Sequence, residues 1–528
     1  MRATRVWPAA AILVVGGAWA AGAWLVGDVI RQQRVERTLM AAGVTMLALL
    51  FWLLFLSRLS WKVRGAAVGV AVLAAASAAV LFRIRGVTGD LVPIVEPRWA
   101  APPEQRLEAP AAATPTPTPS STTPADPTPL PPATVPRRAV HDFPQFLGPQ
   151  RDGTVNGIRL ARDWSRNPPR LVWRHAVGVG WSGFAVAGDM AVTQEQHGDD
   201  ERIVAYDLQT GRVLWAHADR ARYETVIAGV GPRATPTVAG GSVYTLGATG
   251  ILNALDLETG RRLWSKDLLA DNGARSPEWG KSCSPLVVDD LVVLSAGGSG
   301  GRSLVAYRRE TGERAWGAGD DGSSYSSPLL VELAGRRQIV ILNAGSVAGH
   351  DPATGALLWQ HPWPPTQPNV SLPLPLARGR LLVSAGYGIG SKVIEVSAGE
   401  DGAWHARLVW ESPRLKSKFA NLLLHRGLVY GLDDGVLVCL DPATGERRWK
   451  AGRYGHGQML LVGDLLLVQT EEGEIVLIEP GADGHVELAR HQALDSHTWN
   501  PPALAGRLLL VRNEREAALY ELPVTETP

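Results

Sequence analysis

With 528 residues and 45% hydrophobic content, the chain is too long for one ordinary core unless that core is a repeat array or a barrel. Lysine and arginine number 52 against 51 aspartates and glutamates, so no overall field steers the chain to nucleic acid, and nucleic-acid binding is disfavoured. Two cysteines, Cys283 and Cys439, exclude a disulfide framework, a cysteine-rich zinc site and a CxxCH haem attachment.

Three apolar runs open the chain, Ala9 to Val29, Leu39 to Leu56 and Ala66 to Phe82. Each is about long enough to cross a bilayer core, and Asp28, at the edge of the first, is their one charge. Arg2 and Arg5 would also suit a cleaved signal peptide, but the two further runs favour an anchor. Residues 1–100 are therefore expected to form an α-helical membrane anchor of about three transmembrane helices. Counting flanking charges does not orient it: Arg2, Arg5, Arg58, Lys62 and Arg64 on one side balance Arg31, Arg34, Arg37, Arg83 and Arg85 on the other. Residues 101–141 carry RLEAPAAATPTPTPSSTTPADPTPLPPATVPRR, with proline at every second or third position and almost no large apolar side chains. Such a stretch cannot bury a core, and it predicts a disordered, extended spacer.

Beyond residue 142 one phrase recurs. AYDLQTGRVLW ends at Trp215, ALDLETGRRLW at Trp264, AYRRETGERAW at Trp316, GHDPATGALLW at Trp359 and CLDPATGERRW at Trp449, with a looser relative ending at Trp410 and Trp173 starting the series. The spacing of 39 to 52 residues signals a stacked or radial repeat array. Within each unit four short Val-, Leu-, Ile- or Tyr-rich segments alternate with Gly, Asp or Asn turns, the pattern of an antiparallel meander. The DxxTG element suits the turn between third and fourth strands: glycine takes the positive φ while Asp and Thr bond backbone amides. The tryptophan then falls on the outer strand. One four-stranded sheet cannot bury both its faces, so the indoles of Trp173, Trp215, Trp264, Trp316, Trp359, Trp410 and Trp449 are expected to dock each sheet on the next.

First strands near Phe184, Thr237, Leu286, Leu329, Leu374, Leu422, Leu460 and Leu504 count eight meanders. The last lacks a full closing strand, and Leu171 to Ala176 is a spare one, so the N-terminal strand is expected to close the ring. The fold class predicted for 142–528 is all-β, an eight-bladed β-propeller of four-stranded antiparallel blades. Blade seven, with Ala489 near the tryptophan position, and blade five, with a longer turn, are its expected weak spots.

These repeats, with the segment DFPQFLGPQRDGT that leads into them, resemble the pyrroloquinoline quinone (PQQ) type β-propeller repeats over roughly residues 142 to 522. Relatives in that group include quinoprotein alcohol dehydrogenases and the outer-membrane protein assembly factor BamB. The anchor, with GVTGDLVPIVEPRW after it, is similar to membrane-tethered bacterial PQQ-binding-like repeat proteins. That resemblance implies an inner (plasma) membrane protein with its propeller on the periplasmic or extracytoplasmic side. A dehydrogenase of the group implies PQQ held with calcium, a catalytic Asp and commonly an adjacent Cys pair. Here Cys283 and Cys439 stand in different blades, no acidic cluster marks a hard-cation site, and no haem motif is present. No catalytic residue, metal ligand or cofactor is therefore expected. The assembly-factor type implies a docking module with an envelope protein partner. Scaffold is the favoured expectation, and PQQ-dependent oxidation of alcohols or sugars the alternative.

At the starts of the innermost strands lie Arg233, Lys281, Tyr325, Asn369, Lys418, His456 and Trp499, expected to converge on one funnel. Three cations with Tyr, Trp and His could grip a small planar acid by charge and stacking, or meet a protein partner. The plainer reading is that loop starts are polar because water is there, and that Thr-Pro and Ser-Pro pairs set the path into each strand.

Overall fold

The computed structural model describes residues 7–25, 30–100, 142–365 and 368–525. It divides into two compact units, Met1–Pro102 with Thr225–Gly229, and Pro103–Glu224 with Val230–Pro528. The proline-rich spacer 101–141 lies outside the described residues.

The first unit holds three helices long and apolar enough to cross a membrane, Trp7–Leu25, Arg31–Leu56 and Trp61–Leu81. The second starts well before the apolar run at Leu39, because Arg31, Arg34, Glu36 and Arg37 extend its first turns. A helix end is set by backbone hydrogen bonding as well as by apolarity. A short antiparallel hairpin, Phe82–Val87 with Pro93–Pro97, follows the third.

The second unit is the eight-bladed propeller. Its innermost strands are Ala185–Ala187, Thr237–Ala239, Leu286–Val288, Leu329–Leu333, Leu374–Leu376, Leu423–His425, Gln458–Val462 and Ala503–Ala505, each followed outward by its own meander. Arg170–Ala176 completes the eighth blade by pairing antiparallel with Glu516–Glu521, and the innermost strands of blades eight and one come into contact. The N-terminal strand thus closes the ring and removes the open edge.

The repeated phrase builds one local structure. In the turn after the third strand of blade one, Asp207 Oδ1 accepts from the Thr210 N–H at 2.8 Å and from its hydroxyl at 2.6 Å, and Gly211 has φ 69°. Asp256 with Thr259 and Asp351 with Thr354 repeat the arrangement. These hydrogen bonds hold the Asp207 and Asp256 carboxyls below the usual carboxylate range.

A bulge that the sequence did not disclose follows in every blade. Ala254 pairs with Trp264 while Leu255 pairs with Arg262, so one outer residue is skipped. The same slip occurs at Ala205/Tyr206, Ala306/Tyr307, Gly349/His350 and in the remaining four blades. A bulge re-aims the neighbouring side chain, here the tryptophan.

Each indole so aimed meets the next blade. Trp173 Nε1 donates to Leu208 O at 2.9 Å, Trp215 to Leu257 O at 2.9 Å, Trp264 to Arg309 O at 2.8 Å, Trp410 to Pro442 O at 3.0 Å and Trp449 to Gly481 O at 2.9 Å. Trp316 lies against Gly355 of blade four without reaching a carbonyl. Trp359 departs from the rule: blade five has no TG turn, and the indole donates to Gln338 Oε1 of its own blade at 2.6 Å while packing in a cluster with blade-five residues. The TG glycine does a second job here. A Cβ on Gly260 would lie 2.4 Å from the Trp215 ring, and φ there is 69°. Gly260→Ala should therefore lower stability by about 2 kcal/mol, combining left-handed strain with overpacking. Chemical denaturation of the purified chain would show it as a lower midpoint at unchanged slope.

Blade seven repeats the register with alanine, Ala489 opposite Leu477. The lead-in chain covers the place: Leu160 bridges to Val524, Ala161 N–H donates to Pro523 O at 2.8 Å, Arg162 pairs with Glu479, and Trp164, 4% exposed, joins the buried cluster against which Ala489 packs.

Candidate functional site: the channel mouth and its hub

The residue just ahead of each innermost strand sits at the mouth of the central channel, and the chain there is held blade to blade. Gly183 N–H donates to Thr235 Oγ1 at 3.3 Å, Thr235 N–H to Ser284 Oγ at 3.0 Å, and Ser284 N–H to Ser327 Oγ at 2.9 Å. Leu372 N–H finds Asn421 Oδ1 at 2.8 Å, and Asn500 Nδ2 closes the circuit on Ser182 O at 2.9 Å. Three of these hydroxyls immediately precede proline, which holds its neighbour extended. The Thr-Pro and Ser-Pro pairs thus do more than set a path, since their hydroxyls cross to the neighbouring blade. The recurring pair was the signal for this belt.

The seven candidate mouth residues separate into groups. Lys418, His456 and Trp499 gather around Phe419. The Lys418 ammonium lies 5.8 Å from its centroid and 4.4 Å from that of Tyr387, while the His456 and Trp499 rings stand 5.6 and 4.9 Å away. Glu471 ties this group together, accepting from the His456 backbone N–H at 2.9 Å and from Trp499 Nε1 at 3.0 Å. Trp181 packs on Trp499 at 4.9 Å. Across the mouth, Tyr325 stacks on Trp279 at 5.1 Å and its hydroxyl accepts from the Trp279 N–H. Burial pushes the Tyr325 phenol up to about 12. Arg233 lies 4.7 Å over Tyr223, and burial brings its guanidinium down to about 10. Trp279 and Tyr387, their centroids 6.0 Å apart, join the two groups. Tyr387 holds a left-handed backbone, φ 57°, a strained state for a bulky residue.

Lys281 and Asn369 stand apart. Lys281 is 1% exposed, and its ammonium donates to Ser295 O at 2.7 Å and Ala296 O at 3.3 Å, with burial bringing it down to about 8. Asn369 donates to Asn343 O at 2.8 Å and accepts from Trp363 Nε1 at 2.9 Å. Both act as internal ties.

Glu201, which exerts a weak field on Arg233, accepts from the Ala248 N–H at 3.1 Å. Burial pushes its carboxyl up to about 7. That lies above the ~4.3 of an unfolded glutamate, so the folded chain keeps a proton the unfolded chain has lost. The stability it confers is full below about pH 4 and is lost as pH rises through 7. The expected decline between pH 5 and 8 is about 2 kcal/mol, and Glu201→Gln should flatten it in urea titrations.

The lead-in segment runs along several innermost strands, a feature invisible to periodicity because it occurs once. Phe143 forms a bridge with Val186 of blade one, Pro144 O accepts from Val238 N–H of blade two at 2.8 Å, and Thr154–Val155 pairs in parallel with Leu461–Val462 of blade seven. Between them the chain turns back on itself at Arg151. Its guanidinium, 2% exposed, donates to Pro285 O at 2.8 Å, Ser284 O at 3.0 Å and Gln145 Oε1 at 3.1 Å. Leu147 and Arg151 both take positive φ, 60° and 58°, so the loop carries backbone strain.

At the mouth the aromatic rings contact one another, Trp181 with Trp499 and Trp279 with Tyr325, and the Lys281 ammonium donates to backbone carbonyls. Among the described residues no three His, Cys, Asp or Glu side chains are grouped to hold a metal ion.

Set beside known proteins, the chain matches the family described as outer membrane protein assembly factor BamB over residues 162–279, 199–451 and 343–493, together well over half its length. It is 33% identical over 156 residues to quinohemoprotein alcohol dehydrogenase ADH-IIG of Pseudomonas putida, covering 28% of this chain and 21% of that protein. It is 23% identical over 257 residues to BamB of Moranella endobia (strain PCIT), covering 46% of this chain and 63% of the relative. The chain thus spans about a fifth of the dehydrogenase's length. Among solved structures, a europium-containing methanol dehydrogenase superposes with TM-score 0.54 at 14% identity, covering 72% of this chain and 98% of that one. The quinohemoprotein alcohol dehydrogenase of Comamonas testosteroni gives 0.51 at 15% identity, covering 74% and 82%. Identities this low speak to fold alone.

Proposed function

The chain belongs to the family of the outer membrane protein assembly factor BamB, and from that premise we propose that it is a membrane-tethered docking module of the cell envelope. Its three apolar helices hold the propeller at the inner membrane, on the extracytoplasmic side, and the propeller engages another envelope protein. The observation that carries this reading is where the polar groups of the channel are spent. Lys281, Asn369 and Arg151 all bond to backbone carbonyls within the ring. A catalytic or acid-gripping site keeps such groups for substrate, whereas a scaffold uses them to stiffen the surface it presents. The dehydrogenase reading rests on the 33% identical relative, which the chain matches over about a fifth of that relative's length.

Cross-linking in intact cells, followed by purification of the full chain in detergent, should enrich one envelope protein in stoichiometric amounts. Failure to enrich any would remove the docking reading. The alternative predicts dye reduction with alcohols or sugars after incubation with PQQ and calcium. Turnover in that assay would replace docking by catalysis.

A further inference from the structure

The lead-in segment meets the innermost strands unevenly. It reaches the innermost strands of blades one, two and seven by backbone pairing. Among the described residues no backbone hydrogen bond joins it to those of blades four, five and six. A cavity of about 190 Å³ remains there, lined by Leu147 and Asp152 of the lead-in, Leu330 and Glu332 of blade four, Leu374 of blade five and Asn421 of blade six. It is smaller than the ~300–1,000 Å³ of small-molecule sites, a size for one or two side chains. Its outer wall is a strand edge, Leu329–Leu333, on which Leu330 and Glu332, two residues apart, face the same side. Two carboxylates border the cavity, whereas the one cation in its lining, Arg151, directs both terminal nitrogens to Ser284, Pro285 and Gln145.

We propose that this edge is a docking site for a short extended segment of a partner protein, added in parallel as a fifth strand of blade four, with an apolar residue at one position and lysine or arginine two residues later. The chain itself supplies the precedent: Thr154–Val155 adds in parallel to the innermost strand of blade seven, making that sheet five-stranded. Adding a strand to an exposed edge draws affinity from main-chain hydrogen bonds and specificity from alternate side chains. Here those alternate positions are Leu330, half-buried against the blade-three cluster of Leu286 and Val288, whose remaining apolar surface selects an apolar neighbour, and Glu332 with Asp152, which select a basic one. Two left-handed residues in the adjoining loop, Leu147 and Arg151, hold the cavity wall in place at a cost in backbone strain, the kind of strain that gathers at ligand clamps. This inference rests on the docking reading in one respect, that another protein supplies the strand.

The test uses the purified full chain in detergent and two dye-labelled octapeptides, alike except that one carries Leu-Thr-Lys and the other Leu-Thr-Glu at its centre. Fluorescence anisotropy should show saturable binding of the lysine peptide below about 1 mM and binding about fivefold weaker for the glutamate peptide. Glu332→Lys, at an exposed position, should invert that order with unchanged thermal unfolding, and Asp152→Asn should narrow the difference. No saturable binding, equal binding of both peptides, or an order that Glu332→Lys leaves intact would each overturn the proposal. Peptide binding without an enriched partner in cells would leave this site standing and remove the docking function; an enriched partner without peptide binding would do the reverse.

Discussion

Replacing Arg512 by methionine should destabilise the propeller by about 3–5 kcal/mol, the range for breaking a buried charge cluster by removing one partner. Arg512 is fully buried in blade eight, and its donors cross to blade one. Nη1 donates to Thr193 Oγ1 at 2.6 Å and Gln194 O at 3.0 Å, and Nη2 to Gly178 O at 3.1 Å. The equally buried Glu195 is held ionised against its burial by the His197 ring at 2.8 Å and then by the Arg512 charge, and it accepts from Gly178 N–H at 2.8 Å and Tyr206 OH at 2.7 Å. Methionine fills part of the space but leaves those carbonyls unpaired and Glu195 with the His197 ring, at 2.8 Å, as its remaining ionisable partner. Urea unfolding followed by tryptophan fluorescence measures the loss. A change under 1 kcal/mol would show that the seam between last and first blades does not depend on this guanidinium.

Trp164→Ala should cost a similar amount, about 3–5 kcal/mol, as for a large aromatic removed from a core. Trp164 lies outside every repeat, yet it occupies the cluster of blades seven and eight where Ala489 supplies almost no apolar surface. The double variant with Trp264→Ala, at a distant junction, should show additive losses. If Trp164→Ala were neutral, blade seven would after all be the weak point of the ring.

That residue marks where the sequence stops being legible. Periodicity gave the blade count, the closing strand and the turn chemistry, because five copies of the phrase within eight meanders average out local noise. Trp164 and Arg151 sit in single-copy chain, where no repeat points to a role. The mouth divided for another reason. Spacing places Lys281 and Lys418 at equivalent positions, but only packing decides that one ammonium turns inward to carbonyls while the other lies over Tyr387. Position along a strand is a backbone property that a pattern can carry. The partner chosen by a long flexible side chain depends on its neighbours from other blades.

The route of the lead-in segment has a mechanical consequence. A pull applied at Asp142 is met first by Gly188, Val186 and Val238, at the hub of blades one and two. The load passes to these inner strands, and to blade seven through Thr154–Val155, before any of it reaches Arg170–Ala176, the strand that seals the circle. Tethered at its closing strand, the same ring would take the load first on the seam that seals it; held by its inner strands, it meets the load on three blades before that seam.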